Sequence, residues 1–195
     1  MRILVDMDDT IEGLLEAWTD FIYKEHGLHV DKDEIKEWDM RKAYPMLTAE
    51  QIYAPLFDER MWQDVKPFPD AVEYLQKLIE HGHDVVIVTA SHYNNVGMKM
   101  RNVLLKHFPF IPYENVIIAT RKQMILGDVL VDDSPRNLIG GSYEGILFEA
   151  AHNREFNAEK YHMRRARTWS EVYDIIAEME QKELDELIDS LEEDT

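Results

Sequence analysis

Hydrophobic and polar positions divide the chain into short apolar runs separated by longer amphipathic stretches. The runs are rich in β-branched residues, which is typical of strands covered on both faces of a parallel sheet. Amphipathic spacing predicts helices over 71–82 and 95–108, and Gly82 suits the C-terminal cap of the first helix. Strands that alternate with helices favour an α/β fold, a three-layer, doubly wound parallel sheet. The predicted strands cover 3–5, 85–88, 116–119, 129–131 and 146–148.

Residues 12–66 interrupt this alternation. The stretch has a helical pattern, is rich in aromatic residues and contains no convincing strand, and Pro67 and Pro69 mark the return of the alternating pattern. We therefore interpret 12–66 as a small helical cap inserted into an α/β catalytic core made of 1–11 and 67–177. We expect the tryptophans of the cap to form its core rather than platforms for stacked bases. These tryptophans are Trp18, Trp38 and Trp62.

The last stretch, 178–195, is strongly acidic, with nine carboxylate side chains and one lysine. Four apolar residues recur through it at helical spacing, which predicts an amphipathic helix. Docking of this tail on the body of the protein and docking on a partner, including self-association, are both open. The four apolar residues are Leu184, Leu187, Ile188 and Leu191.

The composition limits the classes of function. The 195 residues carry a net charge of −18 and include no cysteine, so disulfides, thiolate metal sites and cysteine catalysis are excluded. The lack of cysteine fits a reducing cytoplasm, which is the expected location. The chain has no basic stripe for a nucleic-acid polymer and no apolar stretch long enough to span a membrane. An anionic small-molecule substrate therefore requires local cations or a bound metal to offset the overall field.

Two carboxylates follow the first predicted strand. Asp6 and Asp8 are spaced i, i+2, so they point to the same side of an extended strand. They converge at the carboxyl end of the strand, where open α/β sheets bind their ligands. Two converging carboxylates repel each other unless a cation or a shared proton relieves them. The site therefore needs a metal, a division of labour between acid and base, or both.

Further polar groups follow the other predicted strands. Thr89 ends the second strand, Lys122 comes just after the third, and Asp132 and Asp133 end the fourth. A hydroxyl, an ammonium and several carboxylates would then surround one crevice. These groups suit phosphoryl transfer with Mg²⁺, which prefers oxygen ligands, and with a carboxylate that attacks phosphorus. The lysine and the hydroxyl are suited to hold the phosphoryl oxygens.

The order of these motifs resembles that of the haloacid dehalogenase superfamily of phosphohydrolases. All four motifs occur in order after apolar runs within 3–133. Receiver domains use similar groups but place the lysine last, whereas Lys122 precedes the final acidic pair here. More narrowly, the chain to about residue 176 resembles the 5′(3′)-deoxyribonucleotidase family. The marks are 5–8, Trp38-Asp39-Met40, 67–72, 119–122 and Thr168-Trp169.

The resemblance implies a role for each motif residue. Asp6 would be the nucleophile and a Mg²⁺ ligand. Asp8 would offer its backbone carbonyl to Mg²⁺ and its side chain as general acid and base, while Thr89 and Lys122 would bind the phosphoryl group. Asp133 is the expected direct metal ligand and Asp132 the residue that orients Lys122 or a metal-bound water, although this division is open.

The resemblance also implies a substrate-binding set and a reaction. Thr10, Leu14 and Ser91 complete that set, although leucines stand where the family usually has base-stacking aromatic residues. Asp9 stands where a glycine is common, and we interpret it as a turn residue rather than a third ligand. The implied activity is a Mg²⁺-dependent phosphomonoesterase that forms an aspartyl-phosphate and acts on (deoxy)nucleoside monophosphates. A phosphatase of another small metabolite, such as a sugar phosphate, and an inactive binding protein are the alternatives.

Overall fold

The computed structural model describes residues 1–37 and 39–193, with side chains described up to residue 191, so Trp38 lies outside the described residues. Six parallel strands form one sheet: β1 (Arg2–Val5), β2 (Asp84–Thr89), β3 (Val116–Ile118), β4 (Val129–Asp132), β5 (Glu144–Phe148) and β6 (Arg164–Ala166). Their order across the sheet is β3-β2-β1-β4-β5-β6. The predicted doubly wound α/β fold is confirmed, with every predicted strand in it. The edge strand β6 is absent from the prediction because its sequence, Arg-Arg-Ala, lacks an apolar run.

Helices lie on both sides of the sheet and in the stretch between β1 and β2. The predicted helix over 71–82 ends at Glu80, and Gly82 follows it with a φ of +88°. The predicted helix over 95–108 forms as two short α-helical pieces joined by a π-helical turn, Met100–Leu104. The α-helices are α1 (Leu14–His26), α2 (Ala49–Tyr53), α3 (Glu59–Asp64), α4 (Ala71–Glu80), α5 (Val96–Lys99), α6 (Leu105–His107), α7 (Pro135–Leu138) and α8 (Trp169–Glu193).

The core is divided by the sheet because successive strand residues point to opposite faces. On β1, Ile3 and Val5 belong to the larger hydrophobic cluster, which also contains buried residues of α4 and α8. Leu4, between them, belongs to the second cluster, which includes Leu138 of α7. The sheet is thus covered on both faces, which explains why its central strands are almost continuously apolar.

The strand order places the functional edge of the sheet between β1 and β4. The chain passes from β1 to β2 and β3 on one side, then crosses to β4, β5 and β6 on the other. Such a switch of direction opens a crevice at the carboxyl ends of the strands. Val5 of β1 pairs with Val131 of β4, so the residues that follow these two strands lie side by side.

The stretch 12–66 builds a hydrophobic cluster of its own around α1 and α2. Trp18 is 3% exposed in this cluster, and its indole Nε1 donates a hydrogen bond to the carbonyl of Ile52 at 2.7 Å. Trp62, on α3, is buried in the larger cluster beneath, which contacts the sheet. The stretch 12–66 therefore has an apolar centre and packs on the core through residues of α1 and α3.

Helix α8 starts on the core and extends away from it. Buried residues continue as far as Met179, and the residues from 180 to 191 are all exposed. The tail from 178 to 193 is thus the continuation of a packed helix, and 194–195 lie outside the described residues. The four apolar tail residues fall in none of the hydrophobic clusters formed by the described part of the chain. Among the described residues, no helix has both the length and the apolar character that crossing a membrane requires.

Trp169, the first residue of α8, connects this helix to the turn after β1 through a hydrogen bond. Its side chain is fully buried, and its Nε1 donates to the carbonyl of Thr10 at 2.8 Å. Trp169→Phe should lower the free energy of unfolding by about 1–3 kcal/mol, because the Thr10 carbonyl loses its partner in a buried position. Urea unfolding followed by circular dichroism measures this loss.

Tyr173→Phe is the matched control on the same helix. It removes the exposed contact between the Tyr173 hydroxyl and His81 Nδ1 and should change stability by about 0.5 kcal/mol or less. Equal effects of the two substitutions would contradict the structural role of the Trp169 indole.

Candidate active site

The turn after β1 brings Asp6 and Asp8 to the functional edge of the sheet. The amide of Asp6 donates to the carbonyl of Val131 at 3.0 Å, which prolongs the pairing of β1 with β4 by one residue. The amides of Thr10 and Ile11 both donate to the carbonyl of Met7, so the chain reverses tightly. The turn is also tied to the end of β4, because the amide of Asp133 donates to Thr10 Oγ1 at 3.2 Å. The two acidic motifs are therefore held together by backbone and hydroxyl contacts as well as by their charges.

Asp9 adopts the left-handed conformation in this turn, with a φ of 50°. Aspartate tolerates this region better than most residues, although glycine does so at lower cost. Its carboxylate accepts a hydrogen bond from the amide of Leu15 at 3.2 Å, at the start of α1. Burial, and next the carboxylate of Asp133, raise the pKa of Asp9 well above its usual value. The side chain thus connects the turn to the inserted helices.

Lys122 joins the two acidic motifs. Its buried ammonium lies 2.6 Å from Asp6 Oδ1 as an ion pair and donates to Asp132 Oδ2 at 2.6 Å. Burial disfavours the charge on Lys122, but Asp6 and Asp132 outweigh this and raise its pKa above the usual value. Burial raises the pKa of Asp6 to about 7, and Lys122 opposes that rise. The lysine thus favours the ionised form of Asp6.

Asp132 and Asp133 are in different environments. Asp132 Oδ1 accepts from the amide of Ser134 at 2.8 Å, and its other oxygen from Lys122 and from Asn137. Asp133 Oδ2 is buried and accepts no hydrogen bond of good geometry, although His152 Nε2 lies 3.0 Å away. Asp132 is therefore committed to protein contacts, whereas Asp133 keeps an oxygen suited to a cation.

The acidic cluster fits a divalent metal ion. One carboxylate oxygen from each of Asp6, Asp132 and Asp133 lies within 4.8 Å of the others, and all three residues are buried. Burial, followed by the neighbouring carboxylates of Asp132 and Asp6, raises the pKa of Asp133 well above its usual value, and a bound cation would oppose this rise. An all-oxygen donor set of this kind suits Mg²⁺.

Asp8 is paired with a lysine that the sequence analysis does not predict. The Lys99 ammonium lies 2.6 Å from Asp8 Oδ1 and donates to Thr89 Oγ1 at 2.6 Å. Lys99 and Thr89 are both fully buried. Glu12, also fully buried, neighbours Asp8, and burial followed by the charge of Asp8 raises the pKa of Glu12 well above its usual value. The site therefore contains two buried lysines, one beside each carboxylate of the first motif.

Asn153 and Arg165, which the sequence does not predict as site residues, stabilise the backbone at Asp133. Asn153 is buried, and its Nδ2 donates to the carbonyls of Asp133 and Phe148, both at 2.7 Å. The guanidinium of Arg165 donates to Asn153 Oδ1 at 3.0 Å and to the carbonyl of Phe156 at 2.8 Å. Arg165 is therefore connected to the backbone of Asp133 through Asn153. The only local signal for Asn153 is its position shortly after an apolar run.

The three remaining predicted residues differ in their burial. Thr10 is fully buried, and its hydroxyl is engaged with the amide of Asp133. Leu14 is 5% exposed and packs in the larger hydrophobic cluster. Ser91 is half-buried in the loop after β2, two residues beyond Thr89.

Two sequence comparisons agree with each other. The model of the family described as "5′ nucleotidase, deoxy (Pyrimidine), cytosolic type C protein" matches residues 1–183. A protein of Clostridium acetobutylicum named 5′(3′)-deoxyribonucleotidase is 33% identical over 174 residues, which cover 86% of this chain and 90% of that relative.

Solved structures of low sequence identity share the fold. A HAD family hydrolase of Deinococcus radiodurans R1, with bound phosphate and sodium, aligns with a TM-score of 0.60 at 16% identity over 91% of this chain and 95% of that one. A HAD-hydrolase of Bacillus subtilis bound to magnesium aligns with a TM-score of 0.55 at 13% identity over 89% and 97% of the two chains. At these identities the comparison supports the fold alone.

Proposed function

The chain belongs to the 5′ nucleotidase, deoxy (pyrimidine), cytosolic type C family, and from this premise we propose that it hydrolyses deoxynucleoside monophosphates with Mg²⁺ through an aspartyl-phosphate on Asp6. The reaction class is that of a phosphoric monoester hydrolase. The observation that carries the mechanism is the pairing of each carboxylate of the first motif with its own lysine, Asp6 with Lys122 and Asp8 with Lys99. The Asp6 side chain is the more buried of the two and the Asp8 side chain is 20% exposed, which suits Asp6 as the nucleophile and Asp8 as the acid–base group.

A small anionic substrate fits the charge distribution. The chain as a whole is acidic, with a net charge of −18, but both lysines at the site are fully buried and point at its carboxylates. These cations, together with a divalent metal, supply the local positive charge that a phosphomonoester needs. The relative at 33% identity is named 5′(3′)-deoxyribonucleotidase, which supports a deoxynucleotide as the substrate.

Asp6 and Asp133 are the residues best suited to hold Mg²⁺ through their side chains, with the backbone carbonyl of Asp8 as a further ligand. Asp133 has a buried oxygen without a hydrogen bond, whereas both oxygens of Asp132 are engaged. When bound, the metal would draw negative charge from a phosphoryl oxygen and favour the ionised form of Asp6. Asp132 would then position Lys122 and not the metal.

In the first step, Asp6 attacks the phosphorus atom with a carboxylate oxygen. A new P–O bond forms, and the bond from phosphorus to the nucleoside oxygen breaks. Asp8 donates a proton to that leaving oxygen, which would otherwise depart as an unstable alkoxide. Lys122, 2.6 Å from Asp6 Oδ1, and the hydroxyl of Thr89 hold the non-bridging oxygens as charge shifts onto them.

In the second step, Asp8 acts as the base. It takes a proton from a water molecule that attacks phosphorus, and the bond between phosphorus and Asp6 breaks. Inorganic phosphate leaves, and the Asp6 carboxylate and the protonated Asp8 are restored. The inserted helices would exclude other water from the site while the acyl phosphate exists.

The purified protein should release phosphate from deoxynucleoside monophosphates in the presence of Mg²⁺. Activity should disappear in EDTA and return with Mg²⁺, because the clustered carboxylates need a cation. Ca²⁺ should support it poorly, since its coordination is larger and looser. A malachite-green assay over nucleotides and sugar phosphates measures this.

Wild-type protein without added metal and Asp6→Asn protein with Mg²⁺ serve as controls. Full activity in EDTA would contradict the metal dependence. Preference for sugar phosphates would contradict the substrate assignment, and inactivity on every monophosphate would support the inactive binding protein.

Asp8→Asn should slow the first step most when the leaving group is poor. General acid help is typically worth about 10²–10⁴-fold, so release of the nucleoside should fall within that range. Release of p-nitrophenolate should fall much less, because this leaving group is stable without a proton. Rapid-quench measurement of the first turnover with both substrates tests the difference.

Asp174→Asn removes an exposed carboxylate on α8 and should leave both rates unchanged. Equal slowing of the two first turnovers in Asp8→Asn would show that Asp8 is not the proton donor.

A further inference from the structure

Lys99 is a fully buried cation for which the catalytic steps above give no role. Its ammonium has two close polar partners, Asp8 Oδ1 and Thr89 Oγ1, each at 2.6 Å. The ring centroid of Trp62 lies 5.9 Å from the same nitrogen, on the side of the inserted helices. An ammonium without water needs partners that repay its desolvation. Both polar partners of Lys99 are residues to which the proposed function gives chemical roles.

The backbone around Lys99 is unusual. Lys99 is the last residue of α5, and the π-helical turn Met100–Leu104 follows it directly. Single π-helical turns inside helices occur frequently at functional sites. The lysine therefore stands at the point where this helix departs from α-helical geometry, ten residues after Thr89.

The contact with Asp8 distinguishes its two carboxylate oxygens. Oδ1 is buried and adjacent to the ammonium, whereas the Asp8 side chain as a whole is 20% exposed. The accessible surface of Asp8 therefore belongs to the remainder of the side chain, which includes Oδ2. Lys99 therefore engages Oδ1, and Oδ2 is the oxygen of Asp8 that is left for contact with a substrate.

The contact with Thr89 restricts the direction in which its hydroxyl hydrogen can point. Because Lys99 donates to Thr89 Oγ1, it occupies an acceptor position of that oxygen, and the hydroxyl hydrogen has to point elsewhere. A phosphoryl oxygen is the acceptor that the mechanism supplies. One ammonium thus orients both an acid–base group and a hydrogen-bond donor.

We infer that Lys99 is a positioning residue that directs Asp8 Oδ2 toward the leaving oxygen and the Thr89 hydroxyl toward the phosphoryl group. This inference rests on the proposed function. It differs from a purely structural role, because loss of Lys99 then affects the proton-dependent step more than the rest of the reaction. It also differs from the role of Lys122, which contacts the nucleophile.

The test compares Lys99→Met and Lys99→Gln with the wild type. First-turnover release of nucleoside should fall about 10²-fold, the lower end of what loss of general acid help costs. Release of p-nitrophenolate should fall much less. Lys99→Gln keeps a polar group of similar length in case Lys99→Met folds poorly, and rates are expressed per folded protein as measured by circular dichroism. Lys106 is an exposed lysine on α6, and Lys106→Met is the matched control, which should leave both rates unchanged.

A double substitution separates action through Asp8 from an independent effect. If Lys99 acts through Asp8, adding Lys99→Met to Asp8→Asn should slow nucleoside release only slightly further, because residues that act as a unit are not additive. Multiplication of the two single losses would overturn the inference, as would equal slowing of both leaving groups in the single variants. If the wild-type protein is active, these results would overturn only the inference about Lys99 and not the proposed function. A wild type inactive on every monophosphate would overturn the proposed function together with this inference.

Discussion

The placement of four carboxylates at one edge of the sheet is the constraint on which the rest of the site depends. The pairing of β1 with β4 brings Asp6 beside Asp132 and Asp133, and the turn after β1 adds Asp8. Buried carboxylates at these distances repel one another and lose their hydration, so the arrangement persists only with compensating positive charge. Lys122 and Lys99 supply part of it from two different elements, and a divalent metal would supply the remainder. The excess of negative charge destabilises the site. The same excess makes the site suited to bind a cation and, with that cation, a phosphoryl group.

The surrounding contacts hold these charges in fixed positions. Thr10 connects the turn to the amide of Asp133 and to the indole of Trp169, and Asn153 supports the carbonyl of Asp133. These groups do not carry charge themselves, but each is buried and satisfies a backbone atom next to a carboxylate. A site whose charges repel one another needs such support. A small displacement of one carboxylate changes its electrostatic interaction energy with every other carboxylate.

The motif residues could be predicted because each lies at or shortly after the end of an apolar run. The central strands and Asp6, Thr89 and Asp132 follow from that pattern together with the rule that parallel strands end at one edge. Lys99 lies within a helix, where its approach to Asp8 depends on a π-helical turn that local sequence does not indicate. The sequence does not predict strand β6 or Asn153. Polar residues in an edge strand or in a loop have the same pattern as residues exposed to solvent. Leu14 packs in the larger hydrophobic cluster, and its expected part in substrate binding stays a prediction.

The most direct test of the account is to identify the atom that receives the phosphoryl group. Wild-type protein turning over a deoxynucleoside monophosphate with Mg²⁺ would be quenched rapidly in acid, digested, and analysed by mass spectrometry. We expect a phosphorylated peptide that contains Asp6, with the modification on its carboxylate and absent from Asp6→Asn protein. Steady turnover with no phosphorylated peptide, or with the modification on another residue, would contradict it.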